Sequence, residues 1–272
     1  MDPIPSITWR GTLPASALLT IRNRNGPVDV RPAAGNQAEV RAEKRTLRGG
    51  GSIQDVAFEV QTGSNGDVTI CSTFRNNNPC DDRSNRGDDD DRGYRRNVTV
   101  AITVLVPRGA QLKVSTGNGA ASVERVGGDV QASTGNGRVH IDGTAGSVRV
   151  STGNGDVDVR GAKSSVRVST GNGSVIVSTS EGPVEARSGN GDIDVTMSAL
   201  RAREDMTFST GSGGRARHAG RRCRTSGRGT PDSFRRAPSA FCRACRRFEP
   251  SQAASRPSGT QIGRLFIAPT HW

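Results

Sequence analysis

Five residues, Ser-Thr-Gly-Asn-Gly, stand at positions 115–119, 133–137, 151–155 and 169–173, and return as Arg-Ser-Gly-Asn-Gly at 187–191. The period is 18 residues each time, with no insertion or deletion. Independent loops tolerate length changes, so a period held this strictly implies that each unit sits in register with the next. Within a unit, two short segments alternate apolar and polar residues. One is represented by Val139 and Ile141, Val157 and Val159, and Val175 and Val177; the other by Val148 and Val150, and Val166 and Val168. A period of two marks strands with one buried face, and β-branched residues suit that pleated surface.

Two strands and two turns per unit fit either a run of hairpins or a coil that climbs one strand spacing per repeat. Strict periodicity favours the coil, because equivalent residues then stack about 4.8 Å apart and an insertion breaks every stack above it. The reading is an all-β fold, a β-solenoid akin to a parallel β-helix, with 18-residue coils. Asn118, Asn136, Asn154, Asn172 and Asn190 are expected to form a structural ladder of side-chain amides along the axis, as in cross-β stacks. Thr116, Thr134, Thr152 and Thr170 are expected to form a second ladder. The Gly-Asn-Gly segments read as turns in which Asn and Gly tolerate positive φ. Neighbours 18 apart place Arg138 by Asp156, His140 by Asp158 and Asp142 by Arg160, pairs that set register more than stability.

The chain divides by pattern into a short leader at 1–8, an N-terminal β segment at 9–110, the regular repeats at 111–211 and an Arg-rich tail at 212–272. "NGPVDV" from Asn25 and "NGDVTI" from Asn65 match the repeat formula at irregular spacing, and residues 98–107 read as one long strand closed by Pro107. The N-terminal half is expected to supply irregular coils or a small sheet covering the open end of the stack. Residues 75–96 read as a solvated polar loop. Asp88–Asp91 lack the ligand order of a calcium loop.

The formal charge of +12 suggests an anionic partner until it is located. Residues 1–211 hold 25 basic and 24 acidic residues, whereas the last 61 hold 13 Arg and two acids. The valine alternation ends at "STGSG", 209–213, in the middle of a motif. A basic arm for nucleic acid and a frameshifted C-terminus both fit, the second preferred because a natural tail would follow a completed coil; either should be poorly folded. Cys71 and Cys80 fit a small disulfide loop or two free thiols equally well. Cys242 and Cys245 have metal-ligand spacing, but Cys223 and distant histidines give no second pair, so no metal site is assigned. No run reaches the roughly 18 apolar residues of a membrane-spanning helix, and the opening "MDPIPSITWR" lacks the regions of a secretory signal. Leu13–Ile21 reads as a first strand.

The "STGNGDVDV"-type units, with "WRGTLPASALLTIRNRNGPVDVRP" before them and "VTVAITVLVPRGAQLKVSTGNG" leading in, resemble the bacterial β-strand repeat family DUF4097, the adhesin-like repeats, over residues about 9–211. The resemblance implies an exported or envelope-associated protein without an established enzymatic activity. It points to an envelope protein or a glycan as partner and to no cofactor. An enzyme reading would use Asp156 with Asp158, or Asp192 with Asp194, as in polysaccharide-acting β-helices. Those pairs lie on a solvated strand face, and no Phe, Tyr or Trp occurs between residues 95 and 207 to stack a sugar. His140 has no second histidine near it to complete a metal site. A nucleic-acid role would rest wholly on the tail, so no specific nucleic acid is expected.

Overall fold

The computed structural model describes residues 6–14, 16–47, 52–74, 80, 98–179, 182–197, 206–212, 215–219, 224–226 and 263–265. Its strands are β1 Ser6–Thr12, β2 Leu18–Asn25, β3 Val28–Pro32, β4 Gln37–Thr46, β5 Val56–Thr62, β6 Val68–Phe74 and β7 Val98–Val106. The regular part follows as β8 Gln111–Asn118, β9 Ala121–Glu124, β10 Val130–Asn136, β11 Val139–Asp142, β12 Val148–Asn154, β13 Val157–Ala162, β14 Val166–Asn172, β15 Val175–Thr179, β16 Val184–Asn190 and β17 Ile193–Met197. Short strands β18 Met206–Ser212, β19 Arg215–Ala219, β20 Arg224–Ser226 and β21 Gly263–Leu265 complete the described chain.

The chain folds as an all-β solenoid. Even-numbered strands from β8 to β18 stack in parallel in one sheet and odd-numbered strands from β9 to β19 in the other. The register is 18 residues: Val148 pairs with Val130 and Val166, and Val157 with Val139 and Val175. Inward residues of both sheets meet between them, where Val150, Val159, Val168 and Val177 are at most 1% exposed. Burying such a side chain is worth about 1.5–3 kcal/mol, against about 0–1 for an exposed ion pair, so the aliphatic stacks hold the coils together and the surface charges adjust them.

The N-terminal half joins the same stack out of chain order. β2 and β3 form a coil beneath β8 and β9, with Asn25 in register with Asn118 and Val28 with Ala121. Below that coil lie β6 and β7, which come later in the chain yet pair in parallel with β2 and β3. Antiparallel strands then cover the end: β5 on β6, β4 on β7 and β1 on β4. Lys44 ties the two edges together. Its Nζ donates to the carbonyls of Val56 and Ile53 and lies 5.8 Å from the Phe58 ring centre, and burial lowers its pKa.

Several expectations need correction. The Gly-Asn-Gly asparagines are strand residues: Ser16 and Arg125 are the non-glycine residues with positive φ among the described residues, so the reversal falls on the second glycine. "NGDVTI" is a hairpin turn between antiparallel β5 and β6, with the Asn65 amide oxygen accepting from the Asp67 N–H at 3.2 Å. Leu13–Ile21 is strand only from Leu18, because Ala17 N–H closes a turn on the Pro14 carbonyl at 3.1 Å. The polar loop around Asp88–Asp91, and the three later cysteines, lie outside the described residues. The tail does too, apart from Ser212 at the end of β18 and strands β19–β21; β19 continues the stack as a parallel neighbour of β17.

Candidate interaction surface

Both glycines of each Gly-Asn-Gly are needed because the neighbouring coil's backbone lies against them. A Cβ on Gly153 would sit 2.6 Å from the Gly135 carbonyl oxygen, and one on Gly155 only 2.0 Å from that of Gly137. Between them the asparagine side chains point outward and join: Asn136, Asn154, Asn172 and Asn190 each donate from Nδ2 to the Oδ1 of the asparagine one coil below, at 2.6–2.8 Å, starting on Asn118. Thr116, Thr134, Thr152 and Thr170 stack in register and are buried. Their hydroxyls bond elsewhere than to one another. Thr134 donates to Gly119 O at 3.0 Å, Thr152 to Gly137 O at 3.3 Å, Thr170 to Gly155 O at 3.0 Å and Thr116 to Gly26 O at 3.0 Å, so this column stitches one coil to the next rather than forming a hydroxyl ladder.

On the face built from odd-numbered strands, Arg138 meets Asp156 at 3.1 Å and His140 meets Asp158 at 3.5 Å. The third pairing does not form, because Arg160 turns along its own strand to Asp158 at 2.8 Å. Asp156 Oδ1 also accepts the Ser174 N–H at 3.0 Å. That bond, with the adjacent Arg138 adding to it, lowers the Asp156 pKa. A carboxyl acting as general acid needs the opposite shift.

The outward side chains of the two sheets differ in charge, which the chain-wide count conceals. Residues 111–197 carry eight basic and nine acidic residues. Acids dominate the odd-strand face: Glu124, Asp142, Asp156, Asp158, Asp192 and Asp194 against Arg138 and Arg160. The even-strand face carries Lys113, Arg149, Arg167 and Arg187 against Asp129 and Glu185, beside a column of serines at 115, 133, 151 and 169. Lys113, Gln131, Arg149, Arg167 and Glu185 follow one another at successive rungs. Glu185 is shared by Arg167, at 2.5 Å, and Arg187. These five residues line a shallow groove of about 660 Å³ that runs along the stack where the chain enters β8 to β16.

The sequence pattern alone did not single out these residues. The signal was present, since positions two apart on one strand share a side and positions 18 apart share a column. At the N-terminal end the same face is covered. Thr20 and Cys71 hold outward register positions yet are buried, Cys71 is disulfide-bonded to Cys80, and Arg22 Nη1 donates to the Cys80 carbonyl at 2.8 Å.

Among the described residues no group of three or more His, Cys, Asp or Glu is placed to hold a metal ion, and no helix is long and apolar enough to cross a membrane. Residues 18–214 match the profile of the family described as Toastrack DUF4097. Similar solved structures include a "putative cell adhesion protein" from Clostridium sporogenes, at 10% identity over 71% of this chain and 82% of that one, TM-score 0.36. Another is a "putative adhesin" from Bacteroides fragilis, at 11% identity over 79% of this chain and 97% of that one, TM-score 0.37. Among curated proteins none matches.

Proposed function

Because the chain belongs to the Toastrack DUF4097 family, we propose that it is a non-enzymatic interaction scaffold of the bacterial cell envelope, adhesin-like in presenting a rigid patterned surface to a partner. The observation that carries this reading is the sorting of charge onto two flat faces of a nearly neutral stack. Random placement of outward residues would mix the signs, whereas a face meant for contact gains steering and selectivity from one sign. The Cys71–Cys80 disulfide supports the compartment, since such bonds persist outside the reducing cytosol.

The carboxylates of the acidic face favour the same reading over hydrolysis. Asp156 is engaged by Ser174 and Arg138, and Asp158 by His140 and Arg160, so each is committed to holding coils and neighbours in place. Fractionating the native bacterium and mapping the cysteines of the recovered protein tests the proposal. The expected result is an envelope-fraction protein with Cys71 and Cys80 joined; a cytosolic protein with both thiols free would overturn it.

A further inference from the structure

We infer that the even-strand face binds a linear acidic polysaccharide, laid along the groove with its carboxylates against Lys113, Arg149 and Arg167. This rests on the scaffold reading and names its ligand class. The cations line up along the stack axis. Arg149 and Arg167 are on adjacent rungs, about 4.8 Å apart, and Lys113 lies two rungs before Arg149. A column at fixed pitch suits a polymer whose charges also repeat along a line.

Lys113 and Arg149 make no ion pair among the described residues, so their charge is available to a ligand; the Asp129 carboxylate also lines the groove, its Oδ1 accepting the Ser147 N–H at 2.7 Å. Arg167 is held in place by Glu185 and is still 56% exposed. Beside them, Ser115, Ser133, Ser151 and Ser169 offer hydroxyls on the same side, which match the hydroxyl-rich edge of a sugar.

Other anionic partners fit less well. Single-stranded nucleic acid is gripped by aromatic platforms as well as charge, and residues 111–197 contain no Phe, Tyr or Trp. An anionic membrane would call for apolar side chains beside the cations. The large exposed hydrophobics, Ile7, Leu47, Val60 and Ile176, all lie outside the groove. The groove reaches Leu18 at its N-terminal end, and on the outward side of β2 and β6 Arg22 is bonded to the Cys80 carbonyl. Charge attraction of this exposed kind weakens with salt, since at 0.1 M exposed charges more than about 10 Å apart are largely screened.

The test uses the full chain, so that the Arg-rich tail contributes equally throughout. Binding of polygalacturonate is measured calorimetrically at low and physiological salt, with neutral dextran and a charge-matched thymidine oligonucleotide as comparison ligands. Three proteins are compared: the parent, Lys113→Glu with Arg149→Glu, and the control Arg138→Glu with Lys163→Glu, which changes the net charge equally on other surfaces. Circular dichroism checks the fold, and Lys113→Gln with Arg149→Gln replaces the reversal if that unfolds. The expected result is about tenfold weaker polyuronate binding for the groove variant, or about threefold for its neutral form, against less than about twofold for the control. Equal weakening in both variants, no polyuronate binding by the parent, or tighter binding of the oligonucleotide would overturn the proposal. None of these would move the protein out of the envelope fraction, so the scaffold reading fails or stands separately.

Discussion

The six residues "NGDVDV" from Asn154 and "NGDVTI" from Asn65 are nearly the same string, yet they build different structures. In the regular stack, Asn154 ends β12, Gly155 turns the chain, and the valines enter β13 in the opposite sheet. Near the N-terminus, Asn65 sits in a hairpin whose strands β5 and β6 stay in one sheet as antiparallel neighbours. Gly155 lies against the backbone of the coil below, whereas a Cβ on Gly66 would meet the Pro14 ring. The motif therefore encodes a coil where parallel strands lie beneath it, another coil for Gly155 and the β6–β7 layer for Gly26. The regular region is nearest-neighbour in construction, and the N-terminal region is knitted from strands distant in sequence.

Removing one coil should separate the two regions most sharply. Deleting residues 137–154 joins Asn136 to Gly155 in phase, and the shortened protein should keep its β-sheet circular dichroism and a cooperative melt. Deleting 18–35 removes the coil that lies between β6–β7 and β8–β9, and should leave no cooperative transition.

Glycine substitutions come next. Gly155→Ala forces a Cβ to within 2.0 Å of a carbonyl oxygen at φ +155. It should cost about 2–4 kcal/mol in urea denaturation. Gly35→Ala, with nothing within 4 Å, should stay within about 0.5 kcal/mol of the parent.

Asparagines sharpen the contrast in the other direction. Buried Asn23 donates to Gly26 O and Val100 O and accepts from Ser72 Oγ, at 2.8–3.0 Å. Asn23→Ala strands those groups and should cost about 2–3 kcal/mol. Asn154→Ala removes one exposed ladder rung and should cost about 0.5–1 kcal/mol.

Thr144 is buried at 1% exposure with no partner for its hydroxyl among the described residues, in a column that holds Val126 one coil below and Ala162 one coil above. Thr144→Val should stabilise the protein by about 0.5–1 kcal/mol in the same assay.

The smallest effect is electrostatic. Because the Asp156 pKa is depressed in the fold, its contribution to stability is present above the unfolded value and is lost as pH falls through the folded one, below the ordinary 3.8. Carbon-detected NMR titration should find Asp156 still depressed in Arg138→Ala, since the Ser174 N–H is the larger cause.

The alternation of Val139, Ile141, Val148 and Val150 and the 18-residue period were sufficient to read the strands, their inward faces and the parallel stacking of the repeats. The pairs Arg138–Asp156 and His140–Asp158 were legible for the same reason. Arg160 was not, because a flexible side chain chooses among partners at similar distance and only three-dimensional packing ranks them. The cationic groove was half legible. Its residues stand in columns of the aligned repeat, but their sum stays hidden until each strand is assigned to a sheet.

The sequence alone determined the coil, because a short period repeated without slips admits one arrangement in which every aliphatic residue covers its like. Tertiary structure decided where β6 and β7 go, which Asn-Gly is a hairpin, and why both glycines of the motif are required. Those outcomes depend on backbones brought together from distant parts of the chain, and local patterns contain no information about what lies on the other side of a carbonyl.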